Sequence, residues 1–164
     1  MIEPEELLDI IAGFETKLTS LRDLTNWAAS LLVRNTETDS LIRLAGLTEA
    51  ESDEASGLLR RAVSELGFRY PREEVIDLAC ARLIARDILN GQIQPNEGCA
   101  RIGEINEKLG WPDELARFGA LAHEQTGHNH VGITKQGTVP EIMSAAQALV
   151  DLELLLDSAD DQAH

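Results

Sequence analysis

Apolar residues recur every three or four positions along most of the chain, the spacing of one face of an α-helix. The longest such stripe predicts a long N-terminal helix over residues 4–33, beginning at Pro4. Because Thr19 and Ser20 are good capping residues, the pattern leaves open whether this segment is one helix or two. The strict alternation that is typical of β-strands is nearly absent.

Capping residues and prolines divide the rest of the chain into shorter helices. Thr48 and Glu51 form a capping box that starts one helix, and Pro71 starts another. The segment after Pro71 is apolar on most sides, which is typical of the central helix of a bundle. We therefore predict an all-α fold: a single-domain compact bundle of about seven helices covering residues 1–164, with residues 158–164 frayed.

Composition limits the classes of function. The hydrophobic fraction of 43% excludes wholesale disorder, and a net charge of −15 opposes binding to nucleic acid or to an anionic membrane. No apolar run reaches the length of about 18 residues that a membrane span needs, and the N-terminus is acidic. We expect a cytoplasmic protein in which Cys80 and Cys99 are buried, reduced thiols.

The surplus of acidic residues favours a binding function. Acidic surfaces attract basic partners and accelerate their association. The leading hypothesis is a non-enzymatic protein-binding module without a cofactor, most concretely an immunity or antitoxin-type neutraliser of a basic partner such as a nuclease toxin. The candidate contact residues are Glu49, Glu51, Asp53, Glu54, Asp157, Asp160 and Asp161.

A histidine cluster supports the alternative of a metal-dependent hydrolase. The candidate metal ligands are His123, Glu124, His128 and His130. His123 and His128 are five positions apart, so they point in different directions on a helix, and a metal needs the chain to fold back between them. The competing interpretation is a helix end with a favourably placed histidine, followed by a polar loop.

Carboxylate pairs suggest a second form of the hydrolase. Glu51 with Glu54, and Glu74 with Asp77, have the ExxE and ExxD spacing of helical nucleotide pyrophosphatases, which hold Mg²⁺ between inward-facing carboxylates. Acids in the first turns of helices equally stabilise the helix dipole without a metal. No phosphate-binding glycine loop accompanies these pairs.

Two further features leave alternatives open. Asp87 lies within the apolar stripe of the predicted central helix, which requires a buried salt bridge, exposure at the helix end or a polar pocket. The long N-terminal stripe also suits a homodimer that pairs through this helix.

One segment resembles a known group of proteins. Residues 88–93 (ILNGQI) and 97–99 (EGC) match an ILxGxIxxxEGC pattern, and residues 124–128 (EQTGH) follow some distance later. The chain over residues 70–130 is similar in this respect to small bacterial helical proteins of no established activity. The resemblance implies a bacterial protein encoded near toxin or defence genes.

Overall fold

The computed structural model describes residues 1–127 and 138–159. Within these residues every regular element is helical apart from one isolated β-bridge, so the all-α prediction is confirmed. The α-helices are α1 (Pro4–Glu15), α2 (Leu21–Val33), α3 (Asp39–Ala45), α4 (Ala55–Glu65), α5 (Glu73–Leu89), α6 (Pro95–Lys108), α7 (Ala116–Gly127) and α8 (Val139–Val150). Two 3-10 helices, Glu49–Glu54 and Asp113–Leu115, lead into α4 and α7.

The chain divides into two compact units. The first unit comprises Met1–Ile76 and Leu154–His164, and the second unit comprises Asp77–Glu153. In the first unit α3 packs against α2 and α4, and α1 packs against the same two helices. In the second unit α6 packs against α7 and α8, which also pack against each other. That the chain folds as a single domain stays a prediction.

The N-terminal segment predicted as a long helix is two helices. The chain leaves α1 through Lys17, whose φ of 62° lies in the left-handed region, and α2 begins after Ser20. The Ser20 hydroxyl accepts from the Asp23 backbone N–H at 3.1 Å, and the Asp23 carboxylate accepts from the Ser20 backbone N–H at 3.2 Å. This capping box ends the continuous stripe on which the homodimer prediction was based, and that pairing remains untested.

Leucines dominate the buried part of the first unit. The fully buried large side chains there are Leu7, Leu8, Ile11, Leu24, Leu31, Leu41, Leu44, Leu58 and Leu59. They come from all four α-helices that lie wholly in this unit, because each helix turns one apolar face inward. The core of this unit is therefore built from one inward-facing apolar face of each helix.

The C-terminal tail is anchored to the first unit. Phe68 and Ser158 form an antiparallel β-bridge. The Arg69 N–H donates to the Asp157 carbonyl at 2.9 Å, and the Ala159 N–H donates to the Gly67 carbonyl at the same distance. Backbone pairing therefore holds Ser158 and Ala159. The predicted fraying of residues 158–164 stays a prediction for residues 160–164, which lie outside the described residues.

A carboxylate on α4 caps the neighbouring helix α3. Glu65 accepts hydrogen bonds from the Ser40 backbone N–H at 3.0 Å and from the Ser40 hydroxyl at 2.8 Å. Hydrogen bonds from the Thr38 and Ser40 side chains hold the pKa of Glu65 below its ordinary value of 4.5. These bonds satisfy the Ser40 backbone N–H at the start of α3 and join α3 to α4.

We expect the Glu65 cap to make the first unit sensitive to acid. Because the pKa of Glu65 is lower in the folded chain than in the unfolded chain, its contribution is complete above the unfolded value and disappears as the pH falls through the folded value. In urea unfolding, the free energy of unfolding should fall less between pH 6 and pH 3 for Glu65→Gln than for the wild type. Glu104→Gln, a change at an exposed residue, should behave as the wild type. Equal losses in all three proteins would contradict the assignment.

Candidate acidic binding site

Four candidate contact acids lie on one short 3-10 helix of the first unit. This helix, Glu49–Glu54, is called the acidic turn below, and all six of its residues are exposed. It ends where α4 begins, and α4 is anchored by the buried Ala55, Leu58 and Leu59. The sequence therefore presents a set of carboxylates at the start of a well-packed helix.

Two of these acids stabilise the turn itself. The Glu51 carboxylate accepts from the Thr48 backbone N–H and from the Thr48 hydroxyl, both at 2.9 Å, and these bonds lower the pKa of Glu51. The Glu54 carboxylate lies 3.3 Å from the Arg43 guanidinium of α3, in a pair that is open to solvent. The turn is thus fixed by its own capping box and joined to α3.

The other two acids are free to contact a partner. Within residues 1–127 and 138–159, the carboxylates of Glu49 and Asp53 form no hydrogen bond or ion pair. Both side chains are exposed. The structure therefore separates the predicted acids by role: Glu51 and Glu54 hold the turn, whereas Glu49 and Asp53 extend its negative charge into solvent.

The C-terminal candidate acids are only partly described. Asp157 is exposed, and its backbone carbonyl accepts the bond from Arg69 that anchors the tail. Its position is therefore fixed while its carboxylate faces solvent. Asp160 and Asp161 lie outside the described residues.

The histidine cluster is described over its first part. His123 and Glu124 are exposed near the carboxyl end of α7, and the helix continues to Gly127. His128 and His130 lie outside the described residues. In the part of the chain that the structure covers, no group of three or more histidine, cysteine, aspartate or glutamate side chains is arranged to hold a metal ion. The metal hypothesis that joins these residues stays a prediction.

The predicted carboxylate pairs are largely engaged in other interactions. Glu51 and Glu54 make the contacts of the acidic turn given above. In the second unit Asp77 is buried, and its carboxylate lies 2.8 Å from the Lys108 ammonium group. The ammonium group offsets part of the cost of burying this carboxylate, which gives Asp77 a structural role that needs no bound cation. Glu74 is an exposed residue in the first turn of α5, where an acid stabilises the helix dipole.

Asp87 is half-buried near the end of α5. Its side chain makes no ion pair or hydrogen bond with any described residue, so the buried salt bridge considered for it is not formed there. Two other polar side chains of the second unit are more deeply buried than Asp87. Arg82 is 1% exposed, and Asn106 is fully buried. The Asn106 amide has no hydrogen-bond partner among the described atoms.

Both cysteines are buried, as predicted, and neither forms a disulfide with a described residue. The Cys99 thiol lies 3.8 Å from the Phe118 carbonyl, to which it donates a weak hydrogen bond. Burial raises the pKa of Cys99 to about 11, so the thiol is protonated at neutral pH. The reactive form of cysteine is the thiolate, so a protonated Cys99 is unreactive. Its role is to pack α6 against α7.

A polar cluster in the first unit has no counterpart in the sequence analysis. The Tyr70 hydroxyl donates a short hydrogen bond of 2.5 Å to Glu15, and the Ser56 hydroxyl donates to the same carboxylate oxygen at 3.3 Å. The Arg60 guanidinium lies 4.0 Å from the centre of the Tyr70 ring. Burial and the Glu15 bond raise the pKa of Tyr70, which keeps it a donor. The cluster ties the segment after α4 to the end of α1.

The structure also contains a groove in the second unit that the sequence did not predict. It has a volume of about 240 Å³ and lies between the segment that starts α7 and the carboxyl end of α8. Phe118, Ala145 and Leu149 are buried residues of its lining, and Asp113, Glu114 and Arg117 are exposed ones. Apolar periodicity describes the faces of single helices, whereas a depression between two helices depends on how they pack.

Comparisons with known proteins add no relative. No protein-family model matches the chain, and no curated protein or solved structure matches it significantly. Among the described residues, no helix combines the length and the apolar character needed to cross a membrane.

Proposed function

We propose that this chain is a non-enzymatic binding protein that docks a basic protein partner through the acidic turn. One observation carries the proposal: a short helix held by its capping box exposes Glu49 and Asp53, and neither carboxylate makes a hydrogen bond or ion pair with any described residue. Because the backbone of the turn is already fixed, only the side chains of these two acids lose freedom when a lysine or arginine of a partner pairs with them.

The charge of the whole chain supports a partner that is basic. A net charge of −15 on 164 residues attracts cationic proteins over the distance of a Debye length and accelerates their encounter. Neutralisers of basic toxins are the class of binding protein that this charge fits best, and such a toxin is the partner we propose. The same charge disfavours nucleic acid as the direct ligand.

The test is capture of a partner by the intact chain, with charge reversal at the free acids. We expect the wild type to retain a basic protein in stoichiometric amount from the native cytosol. The double variant Glu49→Lys/Asp53→Lys should bind the purified partner about tenfold more weakly, or worse, because two favourable pairs become repulsive. The dissociation constants are measured by calorimetry.

A matched variant controls for net charge. Glu104 and Glu107 are exposed acids of α6 whose carboxylates make no hydrogen bond or ion pair with a described residue. Glu104→Lys/Glu107→Lys changes the net charge by the same amount and should retain nearly all of the affinity. If both double variants weaken binding equally, the acidic turn is not the contact surface, and if no basic protein is captured, the proposed function is wrong.

A further inference from the structure

The groove of the second unit has an apolar floor of helical periodicity. Ala145, Ala148, Leu149 and Leu152 lie at positions i, i+3, i+4 and i+7 of α8 and the residues just after it, and Phe118 of α7 lies opposite. These positions share one helix face and extend along it for about 10 Å. The groove is therefore lined by α8 and Leu152 on one side and by the segment that starts α7 on the other.

The size of the groove favours side chains of a protein over a small molecule. Small-molecule sites commonly have volumes of about 300–1,000 Å³, whereas this groove has about 240 Å³. Ala148 contributes only a methyl group to the exposed part of the lining. One or two bulky apolar side chains from an approaching helix fill a space of this size, as in other helix-in-groove interfaces.

The rim of the groove carries unused charge. Asp113 and Glu114 are exposed, and neither carboxylate makes a hydrogen bond or ion pair with a described residue. Arg117 lies on the same rim, and its guanidinium is likewise uncommitted within residues 1–127 and 138–159. The two carboxylates outnumber the single cation, so the rim favours a partner with basic residues beside its apolar ones.

We infer that this groove binds a basic amphipathic helix of a protein partner. The apolar face of that helix lies on Ala148 and Leu152, the apolar lining residues that are not buried, above a floor formed by Phe118 and Leu149. Its lysine or arginine side chains pair with Asp113 and Glu114. The inference rests on the proposed function for the basic character of the partner. It adds a second contact surface of different chemistry, since the acidic turn offers charge alone.

The test uses a synthetic helical peptide of about 18 residues with a leucine face flanked by lysines, and a matched peptide with glutamates in place of the lysines. We expect the lysine peptide to shift the amide NMR signals of residues 113–118 and 145–152 and the glutamate peptide to bind at least about tenfold more weakly. Ala148→Trp fills the groove and should weaken binding of the lysine peptide by about tenfold or more. Ser144→Trp, exposed on the same helix but outside the groove, should not.

A second variant tests the groove if Ala148→Trp unfolds at a lower temperature than the wild type. Asp113→Lys/Glu114→Lys should weaken the lysine peptide, while Glu104→Lys/Glu107→Lys should leave its affinity almost unchanged. Unchanged binding to Ala148→Trp, or shifts confined to the acidic turn, would overturn the groove but not the proposed function. A wild-type dimer in light scattering that Ala148→Trp converts to a monomer would also overturn it, since a second copy would then occupy the groove.

Discussion

Replacing Gly119 by alanine is expected to lower the free energy of unfolding by about 1–3 kcal/mol. A Cβ at this position would lie 2.3 Å from Asn106 Nδ2 and 2.8 Å from Trp111 Cζ3. Asn106 is fully buried and so has little room to move. The new methyl group must therefore push α6 and α7 apart or displace the Trp111 ring.

Gly103 makes the same close approach from the other helix. A Cβ there would lie 2.8 Å from Ala122 Cβ, an atom fixed directly to the backbone of α7. Gly103→Ala should therefore destabilise the second unit to a similar extent, because no side-chain rotation relieves the contact. The two glycines together indicate that the close packing of α6 on α7 depends on residues without side chains.

Gly57 provides the matched control. It lies within α4, and a Cβ there would have nothing within 4 Å. Gly57→Ala should raise stability by about 0.5–1 kcal/mol, because glycine is a poorer helix former than alanine. The measurement is urea unfolding followed by circular dichroism. If Gly119→Ala were as stable as Gly57→Ala, the close packing of α6 on α7 would be contradicted.

Replacing Arg82 by alanine is expected to cost about 2–5 kcal/mol, the range seen for large buried side chains. Arg82 is 1% exposed, and its Nη1 donates to the Leu152 carbonyl at 3.4 Å. Leu152 follows the carboxyl end of α8, where backbone carbonyls carry partial negative charge. The change therefore removes both a large buried volume and a cation that stabilises a helix end.

The cost is measured by thermal and urea unfolding against an exposed arginine. Arg61 lies on α4 and its Nε is 3.4 Å from the Gly57 carbonyl one turn earlier. Arg61→Ala should change the free energy of unfolding by no more than about 0.5 kcal/mol. Arg82→Lys should lie between the two, because lysine retains the charge but not the planar donor group. An Arg82→Ala protein as stable as Arg61→Ala would contradict the structural role.

The helices were predictable because their signals are local. The capping box at Thr48 and the proline at residue 95 fix helix starts through hydrogen bonds and backbone angles that a short sequence window contains. The break between α1 and α2 was harder to assign, since the apolar stripe continues across Lys17 as both helices face the same core. The left-handed backbone of a lysine has no reliable signal in a single sequence.

The polar residues in the core could not be assigned from periodicity. The apolar stripe of α5 contained Asp87 and gave no indication that Arg82 is buried. In the structure Asp87 is half-buried, whereas Arg82 is 1% exposed. Asn106 was missed for a related reason: its neighbour Gly119 is distant in sequence, and only the packing of α6 on α7 brings them together. The acidic turn was predictable in position, whereas the division of its carboxylates between structural and free roles needed coordinates.

The most direct test of the account is the salt dependence of the affinity for the captured basic protein. The wild-type dissociation constant should rise steeply between about 50 and 300 mM sodium chloride, because screening weakens contacts between exposed charges. The dissociation constant of Glu49→Lys/Asp53→Lys should rise much less with salt than that of the wild type. The dissociation constant of Glu104→Lys/Glu107→Lys should rise as much as that of the wild type. A wild-type affinity that is independent of salt, or the same salt dependence in all three proteins, would contradict binding through the acidic turn.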